Sequence, residues 1–147
     1  MNFTGALPDA NMVRELLTGL VGRNVTVNKG TPLKHDTKPG TFVSVYEKDD
    51  GSLTRVWIAD MAFAASAGAA LTMIPSNVVD GCVQKGALDE SLLDNFREVM
   101  NIGASLFNGP QIAHSKLVAV QPAPKTPLPA AVAAVVAKPS SRVDFEI

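Results

Sequence analysis

The chain has 147 residues, 46% of them apolar and 18% charged, with 13 basic side chains against 14 acidic ones and a formal charge of −1. These proportions fit one globular domain that buries about 70% of the surface its unfolded form exposes, and they exclude wholesale disorder. A near-neutral charge without a basic run excludes an electrostatic footprint for nucleic acid or anionic lipid.

Cys82 is the single cysteine, so neither an internal disulfide nor a paired-cysteine zinc site can form. Its expected role is a buried structural thiol. The N-terminal Met1-Asn2-Phe3-Thr4-Gly5 lacks the charged and apolar regions of a secretory signal, and the longest apolar stretch, Met61 to Ile74, is too short for a bilayer of about 30 Å. A cytoplasmic location without membrane insertion is expected.

In chain order, Met12, Val13, Leu16, Leu17, Leu20 and Val21 follow the helical period and Gly22 stands at a C-cap, which predicts a helix over 10–21. Val25 and Val27 alternate with polar residues and predict a short strand before Gly30-Thr31-Pro32. The runs Phe42 to Val45 and Val56 to Ile58 flank Asp50-Gly51, the signature of a hairpin. Asp60 is placed to cap a helix reaching about Ile74, where Pro75 stops it; its alanines and Gly68 suit close packing.

Asp89 is placed to cap the longest helix, to about Phe107, with Leu92, Phe96, Val99 and Gly103 along its apolar stripe. Ser115 to Val120 reads as a strand, followed by a stretch with Pro122, Pro124, Pro127 and Pro129 that cannot be a central strand. Residues 130–137 read as a short helix or a linker, and 142–147 alternate like a terminal strand. The order helix, strand, proline occurs twice, from Met12 to Pro32 and from Leu92 to Pro124, as in two helix-strand units related by a pseudo-twofold axis. The expected class is α+β, with a mostly antiparallel sheet packed by helices.

The chain carries no phosphate-binding loop, dinucleotide fingerprint or His-Glu-x-x-His motif. His35 and His114 stand without a recognisable partner and read as surface residues. The feature open to a chemical role is the polar face of the long helix. At 100° per residue, Asp94, Glu98, Asn101 and Ser105 fall within about 60° of one another, opposite the stripe. Such a row is also what any amphipathic helix shows to solvent.

The spacing is more specific than the row. Asp94, three residues, Glu98, two residues, Asn101 and then 22 residues to Pro124, together with Glu98-Val99-Met100-Asn101-Ile102-Gly103-Ala104, resembles the signature of the CheC/CheX/FliY family of bacterial chemotaxis phosphatases. The resemblance spans the chain up to about Pro124. It departs where Ser105-Leu106-Phe107-Asn108 replaces the family's Gly-Asn-Ala, and where Thr18 of the first helix stands in place of a second active asparagine. One site per chain, as in CheX, is therefore implied.

The resemblance implies a CheX-like domain over 1–129, with 130–147 as a C-terminal segment. The implied activity is hydrolysis of the aspartyl phosphate of a CheY-like response regulator. Asn101 would orient the attacking water and Glu98 would pair with the receiver's lysine, while Asp94 and Pro124 would support the site. A carboxamide suits this task because it donates and accepts hydrogen bonds without titrating. No cofactor or metal of its own is implied, since Mg2+ would come with the receiver. CheX-type members form homodimers, which makes a homodimer an expectation. Two alternatives stay open: a non-catalytic adaptor for a receiver or flagellar-switch partner, and a structural domain whose polar row is only solvated.

Overall fold

The computed structural model describes residues 7–34, 36–107, 114–124, 126–139 and 141–147. Helix α1 (Ala10–Val21) begins where the Asp9 carboxylate accepts from the Met12 amide at 2.8 Å, and it ends at Gly22, whose left-handed φ of 70° lets its amide reach the Thr18 carbonyl. The chain then runs extended. The strand expected at Val25 and Val27 is instead β1 (Asn28–Lys29), because the pairing partner lies at the far end of the sequence: β5 (Phe145–Glu146), antiparallel to it.

Strands β2 (Thr41–Glu47) and β3 (Leu53–Asp60) form the expected hairpin, and β4 (Lys116–Ala123) joins the other side of β2 to give an antiparallel sheet of order β3-β2-β4. β4 runs three residues past the predicted Val120. It can include Pro122 because it is an edge strand, where a missing amide leaves no ladder partner unsatisfied. The register passes over Val118, a bulge that turns this side chain outward.

Helix α2 (Met61–Leu71) follows β3 directly, its first turn capped by Asp60 on the Phe63 amide at 2.7 Å. It is shorter than expected. A separate helix, α3 (Ser76–Lys85), occupies a segment whose interior Asn77, Asp80 and Gly81 concealed it. Helix α4 (Glu90–Gly103) starts at the predicted cap and passes into a 3-10 turn over Ala104–Phe107. Helix α5 (Ala130–Ala137) settles the choice at this segment for helix.

The strand period sorts the sheet's side chains. Phe42 and Val120 face α2 and α4, where they meet Ala64, Ala67, Phe96, Val99 and Met100. Val43 and Val45 face the other way, onto Val132 and Val136 of α5. α5 thus covers one sheet face, and β5 completes the β1-β5 pair. The two helix-strand units noted in the sequence enter different sheets, since β1 pairs with β5 and β4 with β2. α3 packs behind α2 and α4 through Cys82, which is buried and free as expected.

Gly68 sets the distance between α2 and α4. A Cβ there would lie 2.8 Å from the Leu92 carbonyl oxygen, which is backbone and cannot step aside. Gly19 of α1 has open space around it. Gly68→Ala is therefore expected to lower stability by ~1–3 kcal/mol through overpacking. Gly19→Ala should raise it by up to ~1 kcal/mol, as alanine favours helix. Urea unfolding of both variants checks the pair.

Candidate functional site

α4 is held on three sides before its polar face is considered. Its start is fixed by Asp89, which accepts from the Leu92 amide at 2.9 Å and from the Ser91 hydroxyl. Those bonds favour the charged carboxylate and pull its pKa below the ordinary value. Its middle is fixed against α2, where Asn95 donates to the Gly68 carbonyl at 3.0 Å and to the Thr72 hydroxyl at 2.8 Å. Phe96 sits fully buried against Phe42 and Phe63.

The C-terminal half is fixed against the sheet. The Tyr46 hydroxyl donates to the Met100 carbonyl at 2.7 Å, and both side chains are fully buried. Burial pushes the Tyr46 pKa well up, so the phenol remains a proton donor across the physiological range. Trp57 of β3 lies against Gly103, where an added Cβ would come within 3.0 Å of the indole ring.

On this frame Asp94, Glu98 and Asn101 are all exposed on the outer face of α4. Glu98 and Asn101 stand one turn apart, about 4.5 Å along the axis, and Asp94 lies about 6 Å further back. Asp94 forms an ion pair with Arg97 at 3.6 Å, with both side chains more than half exposed, so the pair adds little stability. Ser105 is exposed but belongs to the 3-10 turn, off the regular helical row.

Pro124 is placed elsewhere. It is exposed just past β4, where Ala123 pairs with Thr41 at the Phe42 end of β2. Asn101 follows Met100, which is bonded at the Tyr46 end. From Thr41 to Tyr46 at roughly 3.3 Å per residue, the two levels differ by about 16 Å along the strand. The structure brings Glu98 and Asn101 together with Asp94 nearby, and it leaves Pro124 at the opposite end of the sheet.

Among the described residues, no group of three or more His, Cys, Asp or Glu side chains is arranged to hold a metal ion, and no helix is long and apolar enough to cross a membrane. His114 is exposed, and His35 lies outside the described residues. Tyr46, Asn95 and Trp57, which position the helix, belong to no sequence motif. Only their distant partners reveal this task, and no local spacing encodes it.

No protein-family model, curated protein or solved structure matches the chain.

Two measurements follow from these anchors. Tyr46→Phe leaves a buried carbonyl without its donor and should cost ~1–3 kcal/mol in chemical denaturation. Asp89 has a lowered pKa in the folded state, so its contribution is present above the ordinary carboxylate value and is lost as pH falls through the lowered one. Asp89→Asn keeps a side-chain cap and removes this titration. Its stability should fall less steeply with acid than that of the parent, as read from thermal midpoints across the acidic range.

Proposed function

We propose that the outer face of α4 docks into the active site of a phosphorylated receiver domain and accelerates hydrolysis of its aspartyl phosphate, in the manner of a CheX-like phosphatase. The observation that carries this reading is the placement of Glu98 and Asn101: both are exposed, one turn apart, on a helix whose backbone is pinned at Asn95 and Met100. A convex, rigid row can enter a partner's cleft without first reorganising, and positioning is most of what such a reaction requires of a helper.

In this reading the Asn101 carboxamide accepts a hydrogen bond from a water molecule and turns its oxygen toward phosphorus. The new oxygen–phosphorus bond forms as the bond to the receiver's aspartate breaks, leaving a free carboxylate and inorganic phosphate. Glu98 pairs with the receiver's lysine and fixes the register of the helix. Mg2+ carried by the receiver neutralises the phosphoryl oxygens. Asp94 supports the face through Arg97. Pro124, displaced along the sheet, acts by ending β4 and not by touching the reacting groups. The setting is two-component signalling in the cytoplasm, with the protein acting as a homodimer.

The adaptor reading draws on one observation, the departure from the family pattern just after Asn101, where a 3-10 turn follows α4. The two are separated by following the decay of a phosphorylated CheY-like receiver with the parent protein, Asn101→Ala and Glu98→Ala, and measuring binding of each to a stable phosphoryl mimic of that receiver. The expected result is faster decay with the parent, loss of about 10²-fold or more of that acceleration in Asn101→Ala with binding retained, and weakened binding in Glu98→Ala. Binding without any acceleration makes the protein an adaptor. Absence of binding to either receiver form removes both readings.

A further inference from the structure

Helices α1 and α3 each end in a left-handed glycine, Gly22 at φ 70° and Gly86 at φ 71°. α2 ends differently. Its C-cap is Thr72, and the left-handed position that follows is taken by Met73, at φ 58°. Among the described residues, every other positive φ belongs to a glycine. The Ile74 amide then donates back to the Ala69 carbonyl at 2.8 Å, which is the long bond of a Schellman end. This turn brings Ile74 into the cluster that Ala69, Cys82 and Leu92 form between α2, α3 and α4. The packing of Ile74 therefore requires the left-handed backbone at position 73, and the residues that suit that backbone are glycine and asparagine.

Methionine at this position carries two costs. Its Cβ crowds the following carbonyl oxygen. Its side chain is 83% exposed, more than any other large apolar side chain among the described residues, so its burial in the fold returns almost nothing. An unbranched thioether with three rotatable bonds is well suited to filling an irregular apolar socket on another surface.

The position of Met73 places it beside the polar row. Its neighbour Thr72 accepts from Asn95 of α4 at 2.8 Å. Asn95 stands three residues before Glu98, about 4.5 Å along the axis, and is about 60° from it around the helix. Met73 thus flanks the row from the α2 side. A docking patch of standard size, about 800 Å² per partner and so about 30 Å across, takes in Met73 together with Glu98 and Asn101.

We infer that Met73 is an apolar anchor of the docking surface, entering an apolar socket on the receiver domain while the α4 row enters its active site. The anchor rests on the receiver reading and adds to it a contact remote from the reacting groups. Such a contact holds ground state and transition state equally, so it sets the concentration for half-saturation and leaves the rate at saturation unchanged.

Stability and receiver binding are read on the same three variants. Met73→Gly and Met73→Asn remove the side chain and suit the left-handed backbone, whereas Met73→Leu keeps an apolar group and the strain. Each is compared with the parent by thermal midpoint, by affinity for a CheY-like receiver carrying beryllofluoride as a stable phosphoryl mimic, and by decay of the phosphorylated receiver. The expected result is a midpoint at or above the parent's for Met73→Gly and Met73→Asn, with affinity weakened about tenfold or more and decay at saturation unchanged. Met73→Leu should bind within about twofold of the parent.

Unchanged affinity in Met73→Gly and Met73→Asn overturns the anchor and leaves the receiver reading standing, since that reading is tested separately by Asn101→Ala. Midpoints below the parent's show that the side chain serves the fold, and they overturn it too. A loss in Met73→Leu as large as in the other two overturns the apolar character of the contact. A parent that binds no receiver overturns the anchor and the receiver reading together.

Discussion

The hydrogen bond from the Tyr46 hydroxyl to the Met100 carbonyl joins the central strand of the sheet to the last full turn of α4. A buried donor in so apolar a setting has no water to fall back on, so the bond fixes both the rotation and the height of the helix above the sheet. That one constraint decides which side chains of α4 face outward. A rotation of one residue, 100°, would carry the Glu98 and Asn101 row toward the core and bring apolar groups to the surface.

The same helix is held from its other neighbour by absence of a side chain. Gly68 allows the α2 backbone to come close to Leu92, and Asn95 uses that proximity to donate to the Gly68 carbonyl. A close helix pair on one side and a hydroxyl-to-carbonyl bond on the other leave α4 little freedom. Rigidity of this kind suits the role proposed for this face, because misplacement of reacting groups by about 1 Å is costly in rate. A cavity beside β3 borders this frame through Trp57, whose ring touches Gly103 on one side and Phe63 on another.

Local signals in the sequence were strong wherever an element is specified by its own residues. The caps at Asp9, Asp60 and Asp89 act within three residues of themselves, and each begins a helix where the sequence places it. The Asp50-Gly51 turn closes the β2-β3 hairpin, and Gly51 takes the positive φ that such a turn requires. Elements specified by distant partners were less legible. β1 is two residues whose strand character comes only from pairing with β5 over a hundred positions later. α3 has a weak intrinsic preference and exists because Cys82 and its apolar neighbours cover α2 and α4.

The candidate site divides in the same way. The sequence alone determined that Asp94, Glu98 and Asn101 share one helical face opposite an apolar stripe, because helical period is a local property of the chain. It also determined the α+β class, from the separation of hairpin and helix signals. Tertiary structure decided that Pro124 stands about 16 Å along the strand from the level of Asn101, since that distance depends on the direction in which α4 crosses β2 and on the register of β4. It also decided that residues from both ends of the chain enclose a cavity around Arg55 and Trp57, which no local period records because its walls meet only when the β1-β5 pair closes.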